Sequence, residues 1–182
     1  MAFHSARLHQ KLIRIVMRRH FLFLQGMPCD FFRAVANELL VCGHHVSRIN
    51  FCFSDWLFWH DSRAISYRGR LADWDGFLCD FISKNLVTDI VLLGEQRKYH
   101  KQAVSVARRL GVRVMVTDFG YFRPDWITLE PNGMGRDSTM SREPRSIINL
   151  AQKLESVDFS PVFNESNWRM SVGDFAGSMG NV

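Results

Sequence analysis

Strand-like and helix-like runs alternate along this chain, and glycines close them. "HFLFLQG" (20–26) is a short apolar run ending in a turn residue. "CDFFRAVANELLVCG" (29–43) carries Phe32, Val35, Ala36, Leu39 and Leu40 at helical spacing and stops at Gly43. "HVSRINF" (45–51) is the next strand. "LADWDGFLCDFISKNL" (71–86) is a helix with Trp74, Phe77, Leu78 and Phe81 turned inward. "TDIVLLG" (88–94) is apolar without alternation, as a strand buried on both faces must be. "YHKQAVSVARRLG" (99–111) is a helix presenting Ala103, Val106, Ala107 and Leu110. "VRVMVTD" (112–118) is a strand, and "PRSIINLAQKLES" (144–156) is a last helix with proline near its start. This alternation specifies an α/β fold, an open and mostly parallel sheet with flanking helices.

In such sheets ligands collect at the carboxyl ends of the strands. Those ends carry Gln25-Gly26, Asn50 to Asp55, Gly94-Glu95 and Asp118 to Gly120. Asp118 opens "DFGYFRPDWITLE", which holds a glycine, four aromatics and an Arg-Pro-Asp. A carboxylate there can take a proton from an attacking hydroxyl, and Gly120 would let a substrate approach the backbone. The competing reading makes Asp118 a turn cap. Arg123 either pairs with Asp125 or binds a carboxylate or phosphate. Glu95, Arg97, Tyr99 and His100 begin a helix after a strand, a place that attracts anions but also suits a surface cap. The stretch 51–69 reads as one long loop rich in aromatics, where Trp56 or Trp59 can stack on a sugar or simply pack.

Several chemistries find no support. There is no GxGxxG after the first strand, no Walker sequence, no HExxH and no GxSxG. His44-His45 reads as a solvated pair at a turn. Five of the 23 basic residues (Arg7, Lys11, Arg14, Arg18, Arg19) fall in the first 20 positions. The remaining 18 balance the 18 acids, so a general nucleic-acid-binding surface is not expected. That basic segment has the spacing of an amphipathic helix, suited to an anionic membrane surface or to a docked leader. No apolar run approaches the roughly 20 residues of a membrane-crossing helix. The four cysteines have no CxxC spacing and read as reduced thiols of a cytoplasmic protein.

The runs "FLFLQG", "GHHVSRINF", "FW" and "YRG", then "TDIVLLGEQRKYHKQAVSVARRLGV" and "DFGYFRPDWITLEPNGM", resemble the capsule polysaccharide biosynthesis proteins of the KpsS/LipB type, which are bacterial β-Kdo glycosyltransferases. The resemblance covers about residues 20 to 170. It implies a two-domain GT-B architecture and metal-independent, inverting transfer of Kdo, a carboxylated sugar. The donor would be CMP-Kdo, with no further cofactor, and the acceptor a phosphatidylglycerol-linked glycolipid. Asp118 and Gly120 match the family's acid-x-Gly motif, so Asp118 would be the base. Gln25, Gly26, Asp55, Arg68, Arg97, Tyr99, His100, Tyr121 and Arg123 match positions expected to bind substrate.

Three departures stand out. Phe53-Ser54 precedes Asp55 where the family favours Gly-Gly, Asp118 replaces the usual Glu, and no His-Pro occurs in the 182 residues. The expectation is therefore an acceptor-side half. It would comprise a leader helix (1–19), a Rossmann-like domain (20–157) and an irregular tail (158–182) that begins a second, donor-binding domain. Catalysis by this chain alone is left open. The implied partners are the lipid acceptor, the inner membrane surface and capsule assembly or export proteins, with a non-catalytic glycolipid- or protein-binding module as the alternative.

Overall fold

The computed structural model describes residues 18–120 and 126–154. Six strands, β1 (His20–Phe23), β2 (His45–Asn50), β3 (Ala64–Ser66), β4 (Asp89–Leu93), β5 (Arg113–Phe119) and β6 (Ile127–Pro131), form one sheet in the order β3-β2-β1-β4-β5-β6. The first five run parallel and β6 returns antiparallel to β5. The α/β reading is correct, and the strand order is that of a Rossmann-like sheet.

Burial follows the alternation of side chains on each strand. Leu22, Leu24, Ile49, Ile90, Leu92, Val114 and Val116 meet α3 (Trp74–Asn85) and α4 (Lys98–Leu110) on one face. Phe23, Val46 and Val91 meet Phe32 and Ala36 of α1 (Phe31–Val41) and Trp59 on the other. All five residues of central β4 are buried. Its first, Asp89, is an acid in the core. The cost of burying that charge is offset by Arg19, whose Nε lies 2.7 Å away, by Arg113 Nε at 3.1 Å and by the Thr88 hydroxyl at 2.7 Å. Arg19 also reaches the second carboxylate oxygen. α4 ends where Gly111 takes φ +67°, a left-handed cap that favours glycine.

Two parts differ from the sequence expectation. The stretch 51–69 holds a short helix, α2 (Phe53–Phe58), and β3, which pairs in parallel with β2. The motif after Asp118 returns as β6. A three-residue strand with Ile65 exposed, and a six-residue helix whose Phe53, Trp56 and Leu57 face solvent, carry no inward periodicity to read. The final helix, α5 (Pro144–Leu154), forms as expected. The leader to residue 17, Tyr121, Arg123 and the tail from residue 155 lie outside the described residues. Among the described residues no helix is long and apolar enough to cross a membrane.

Candidate functional site at the carboxyl edge of the sheet

Strand order reverses between β1 and β4, so the crevice beyond their carboxyl ends is where this topology leaves room for a ligand. Gln25 and Gly26 leave β1 there, and Gln25 continues the ladder by accepting Leu93 N–H at 3.0 Å. Arg97 stands at the start of α4 across the crevice and donates to Gln25 Oε1 at 2.6 Å. Gln25 Nε2 in turn faces the sulfur of Cys52 at 3.6 Å. No carboxylate of the described residues pairs with Arg97. Gly26 is buried, and a Cβ there would sit 2.5 Å from the ring of Phe32.

Behind the crevice lies a buried polar network. Arg48 is 4% exposed and Asp55 5%. The guanidinium donates to Asp55 Oδ1 at 3.0 Å, to Asn50 Oδ1 at 2.7 Å and to the Leu24 carbonyl. Asp55 Oδ2 accepts Phe51 N–H at 2.9 Å, and Asn50 Nδ2 donates to the Trp59 carbonyl at 2.7 Å. Burial pulls the Arg48 pKa down while Asp55 pulls it back up. Asp55 thus turns inward, with both oxygens engaged by the protein. Arg48 is a supporting residue that the motif reading missed, and Asn50, read only as a strand end, joins it in the network. The available signal was two polar residues, Arg48 and Asn50, at alternate positions around the apolar Ile49 near the strand's end, which fits a satisfied buried network.

Tyr99 and His100 also turn inward. Tyr99 stacks on Phe51 at 4.6 Å, and its carbonyl accepts the Trp74 indole N–H at 3.0 Å. His100 is fully buried and its Nδ1 lies 2.8 Å from the Gly94 carbonyl and 3.0 Å from that of Leu93. Two carbonyl partners require Nδ1 to carry the proton. Burial lowers the pKa to about 4, so the ring is neutral and locks the β4–α4 turn. Glu95, at the same turn, accepts Met134 N–H at 3.4 Å.

Asp118 is exposed near the end of β5, opposite Thr128 of β6. Its Oδ1 accepts the N–H of Phe119 at 2.8 Å, which orients the carboxylate, and no other partner engages it among the described residues. Gly120 is buried. A Cβ on it would fall 2.5 Å from the Trp126 backbone, whose carbonyl accepts Gly120 N–H at 2.7 Å. The close approach this glycine permits is that of β6.

Arg68 lies elsewhere, on a cleft of about 330 Å³ at the ends of β2 and β3, together with Phe53, Trp56 and Tyr67. The structure therefore joins Gln25, Gly26 and Arg97 at one crevice and sets Asp118 two strands from β1. It commits Asp55, Tyr99 and His100 to the interior. Among the described residues no three His, Cys, Asp or Glu side chains converge as metal ligands.

Comparison with known proteins finds relatives among capsule polysaccharide proteins. Residues 88–174 match the family described as capsule polysaccharide biosynthesis protein. The capsule polysaccharide modification protein LipB of Neisseria meningitidis serogroup A is 29% identical over 140 residues, covering 76% of this chain and 33% of that protein. LipB of serogroup B matches to the same extent. The capsule polysaccharide export protein KpsS of Escherichia coli is 29% identical over 126 residues, 69% of this chain and 32% of that protein. The chain spans about a third of the length of the curated relatives it matches. It is similar to the capsule polysaccharide proteins LipB and KpsS.

Proposed function

We propose that this chain serves capsular polysaccharide biosynthesis as the acceptor-side, Rossmann-like part of an inverting Kdo transferase. The observation that carries the reading is Asp118. It is an exposed, oriented carboxylate at the carboxyl edge of the sheet, near the crevice where strand order reverses. In the reaction, Asp118 takes the proton of the acceptor hydroxyl. The freed oxygen attacks the anomeric carbon of Kdo, and CMP leaves with the electron pair of the broken bond. Arg97 and Gln25, tied to each other, hold a polar or anionic part of the acceptor. A donor-binding domain supplied outside the described residues would close over them, exclude water and stabilise the leaving phosphate.

The acceptor in this reading is a lipid-linked glycan at the inner face of the membrane, where the basic segment 1–19 would meet anionic headgroups. Two of its cations are held by the domain: Arg19 by Asp89, and Arg18 by the Gly43 carbonyl at 3.1 Å.

Kdo transfer from CMP-Kdo to a phosphatidylglycerol-linked glycolipid tests the proposal. Asp118→Asn should slow transfer roughly 100-fold or more while leaving donor binding nearly intact. A collapse of donor affinity would make Asp118 structural. The second reading is a glycolipid- or protein-binding module of capsule assembly and export. A chain that binds the acceptor and never turns over CMP-Kdo would select it.

A further inference from the structure

At the amino edge of the sheet, opposite the strand ends that carry the candidate site, three histidines surround the point where the chain enters β1. Residues 18–20 are seated between the turn before β2 and the start of β4. On the β2 side, Arg19 N–H donates to His44 Nδ1 at 3.3 Å, and the Arg19 carbonyl accepts His45 N–H at 2.8 Å. On the β4 side, His20 N–H donates to Thr88 Oγ1 at 3.0 Å and its carbonyl accepts Thr88 N–H at 3.0 Å. The His20 ring lies with Nδ1 2.7 Å from the Asn85 carbonyl and Nε2 2.8 Å from Ser47 Oγ. A ring nitrogen accepts a hydrogen bond only while it carries no proton. The Arg19–His44 bond therefore requires neutral His44 with its proton on Nε2. An imidazolium there would set one N–H against another. The surroundings add to this, because they are cationic. Arg18 lies on the Gly43 carbonyl, Arg19 stands over the Phe21 ring, and the His20 and His45 rings are 5.8 Å apart. Burial holds the His20 pKa below its ordinary value, and His45 pushes the same way. Cys42, in the same turn, and Glu38 of α1 are exposed, and Glu38 makes no ion pair among the described residues. Asp89, the carboxylate that does engage this entry, is buried and already shared by Arg19 and Arg113.

We propose that this entry is an acid-released latch, in which protonation of His44 removes the acceptor of Arg19 N–H and frees residues 18–20 from the edge of the sheet. The latch is closed at neutral and higher pH and opens as pH falls, because the closed geometry needs the unprotonated ring. Opening stays local. Leu22 and Phe23, further along β1, have no exposed surface and remain in the core. Asp89 keeps Arg113 at 3.1 Å and the Thr88 hydroxyl at 2.7 Å, so release of Arg19 does not strand its charge. The consequence concerns the basic segment that ends here. In the closed state Arg18 and Arg19 are spent on Gly43 and Asp89. Once released they join Arg7, Lys11 and Arg14, so acidification raises the positive charge the segment can present to an anionic partner. None of this depends on whether the chain transfers Kdo.

The test is amide hydrogen exchange of the full 182-residue chain, read by NMR and corrected for the intrinsic exchange rate. The pH is stepped from about 7.5 to about 5.5, a range in which histidine side chains change charge. Protection of the Arg19 amide should fall about tenfold over that range, the worth of one or two hydrogen bonds, while the Phe23 amide stays protected. His44→Gln offers a side-chain acceptor that does not titrate, so the Arg19 amide should lose its pH dependence. His44→Leu has no acceptor and should hold the amide at its low protection at both ends of the range. His20→Gln and His45→Gln should each leave the pH-dependent step in place. No protection of the Arg19 amide at the higher pH, protection that does not change with pH, or a fall that persists in His44→Gln would each overturn the latch.

Discussion

Removing the Asp55 carboxylate separates a structural role from a binding role most directly. Asp55→Ala would strand the Arg48 guanidinium, 4% exposed, without its counter-charge, and would leave Phe51 N–H without its acceptor. Breaking a buried pair from one side costs about 3–5 kcal/mol, because the remaining ion stays desolvated. Whole domains are stable by only about 5–15 kcal/mol, so the variant should be near the margin of folding. With a urea m-value of about 2 kcal/mol/M, the midpoint should fall by about 2 M. Asp55→Asn keeps the shape and can still accept Phe51 N–H, so its loss should be smaller. The double change Arg48→Met with Asp55→Leu removes both charges and should cost less than Asp55→Ala alone. Urea unfolding followed by tryptophan fluorescence reads all three. A loss below about 1 kcal/mol for Asp55→Ala, the worth of a surface ion pair, would refute the reasoning. Asp55 would then be wet and free to bind substrate.

Two more outcomes follow from the geometry. Gly120→Ala places a methyl where the Trp126 backbone already stands. It should cost about 1–3 kcal/mol in urea unfolding and disturb Asp118, two residues earlier, so any Asp118-dependent transfer should fall with it. His100 is held neutral with its pKa lowered to about 4 from 6.5, so the unfolded chain takes up a proton that the folded chain refuses. Stability from this group is fully present above pH 6.5 and declines as pH drops towards 4, by about 3 kcal/mol in all. The lowered pKa of half-buried His20 adds in the same direction. His100→Gln should flatten the slope of unfolding free energy between those pH values, and an unchanged slope would exclude the assignment.

The fold was legible where one side-chain period ran long enough to dominate. In "TDIVLLG" the apolar run without alternation announced a central strand. In α4 the spacing of Ala103, Val106 and Ala107 announced the buried face. The same helix held a sharper message. His100 lies three residues before Ala103 and seven before Ala107, hence on the inward face, and its burial was readable from that spacing. β3 and β6 were not readable, because they are edge strands whose pairing depends on neighbours already in place rather than on a period of their own. The crevice could be located only as a set of strand ends. That Gln25 meets Arg97 across 72 positions depends on β1 and β4 being neighbours, which no local pattern specifies. Likewise Arg63, Arg68 and Arg70 look alike in sequence, and only the folded chain distinguishes the unpaired one.

The polar groups on this edge fall into two populations, and the division bears on where function resides. Arg48, Asn50, Asp55 and the Nδ1 of His100 are saturated by bonds to the protein itself. A ligand could engage them only by replacing a bond already made in a dry setting, which gains little. Asp118 and Arg68 stand at the surface with capacity to spare, and Arg97 adds a guanidinium with no carboxylate beside it among the described residues. Substrate recognition should therefore reside in the second population, while the first fixes the strand ends that carry it. Asp55 of α2 and Asp118 near the end of β5 make the contrast concrete, since both are aspartates at the carboxyl edge of the sheet. Asn in place of the first should move unfolding and binding together. Asn in place of the second should leave unfolding within about 0.5 kcal/mol and change only what the site does. If both moved stability alike, the distinction between scaffold and site drawn from their hydrogen bonds would fail.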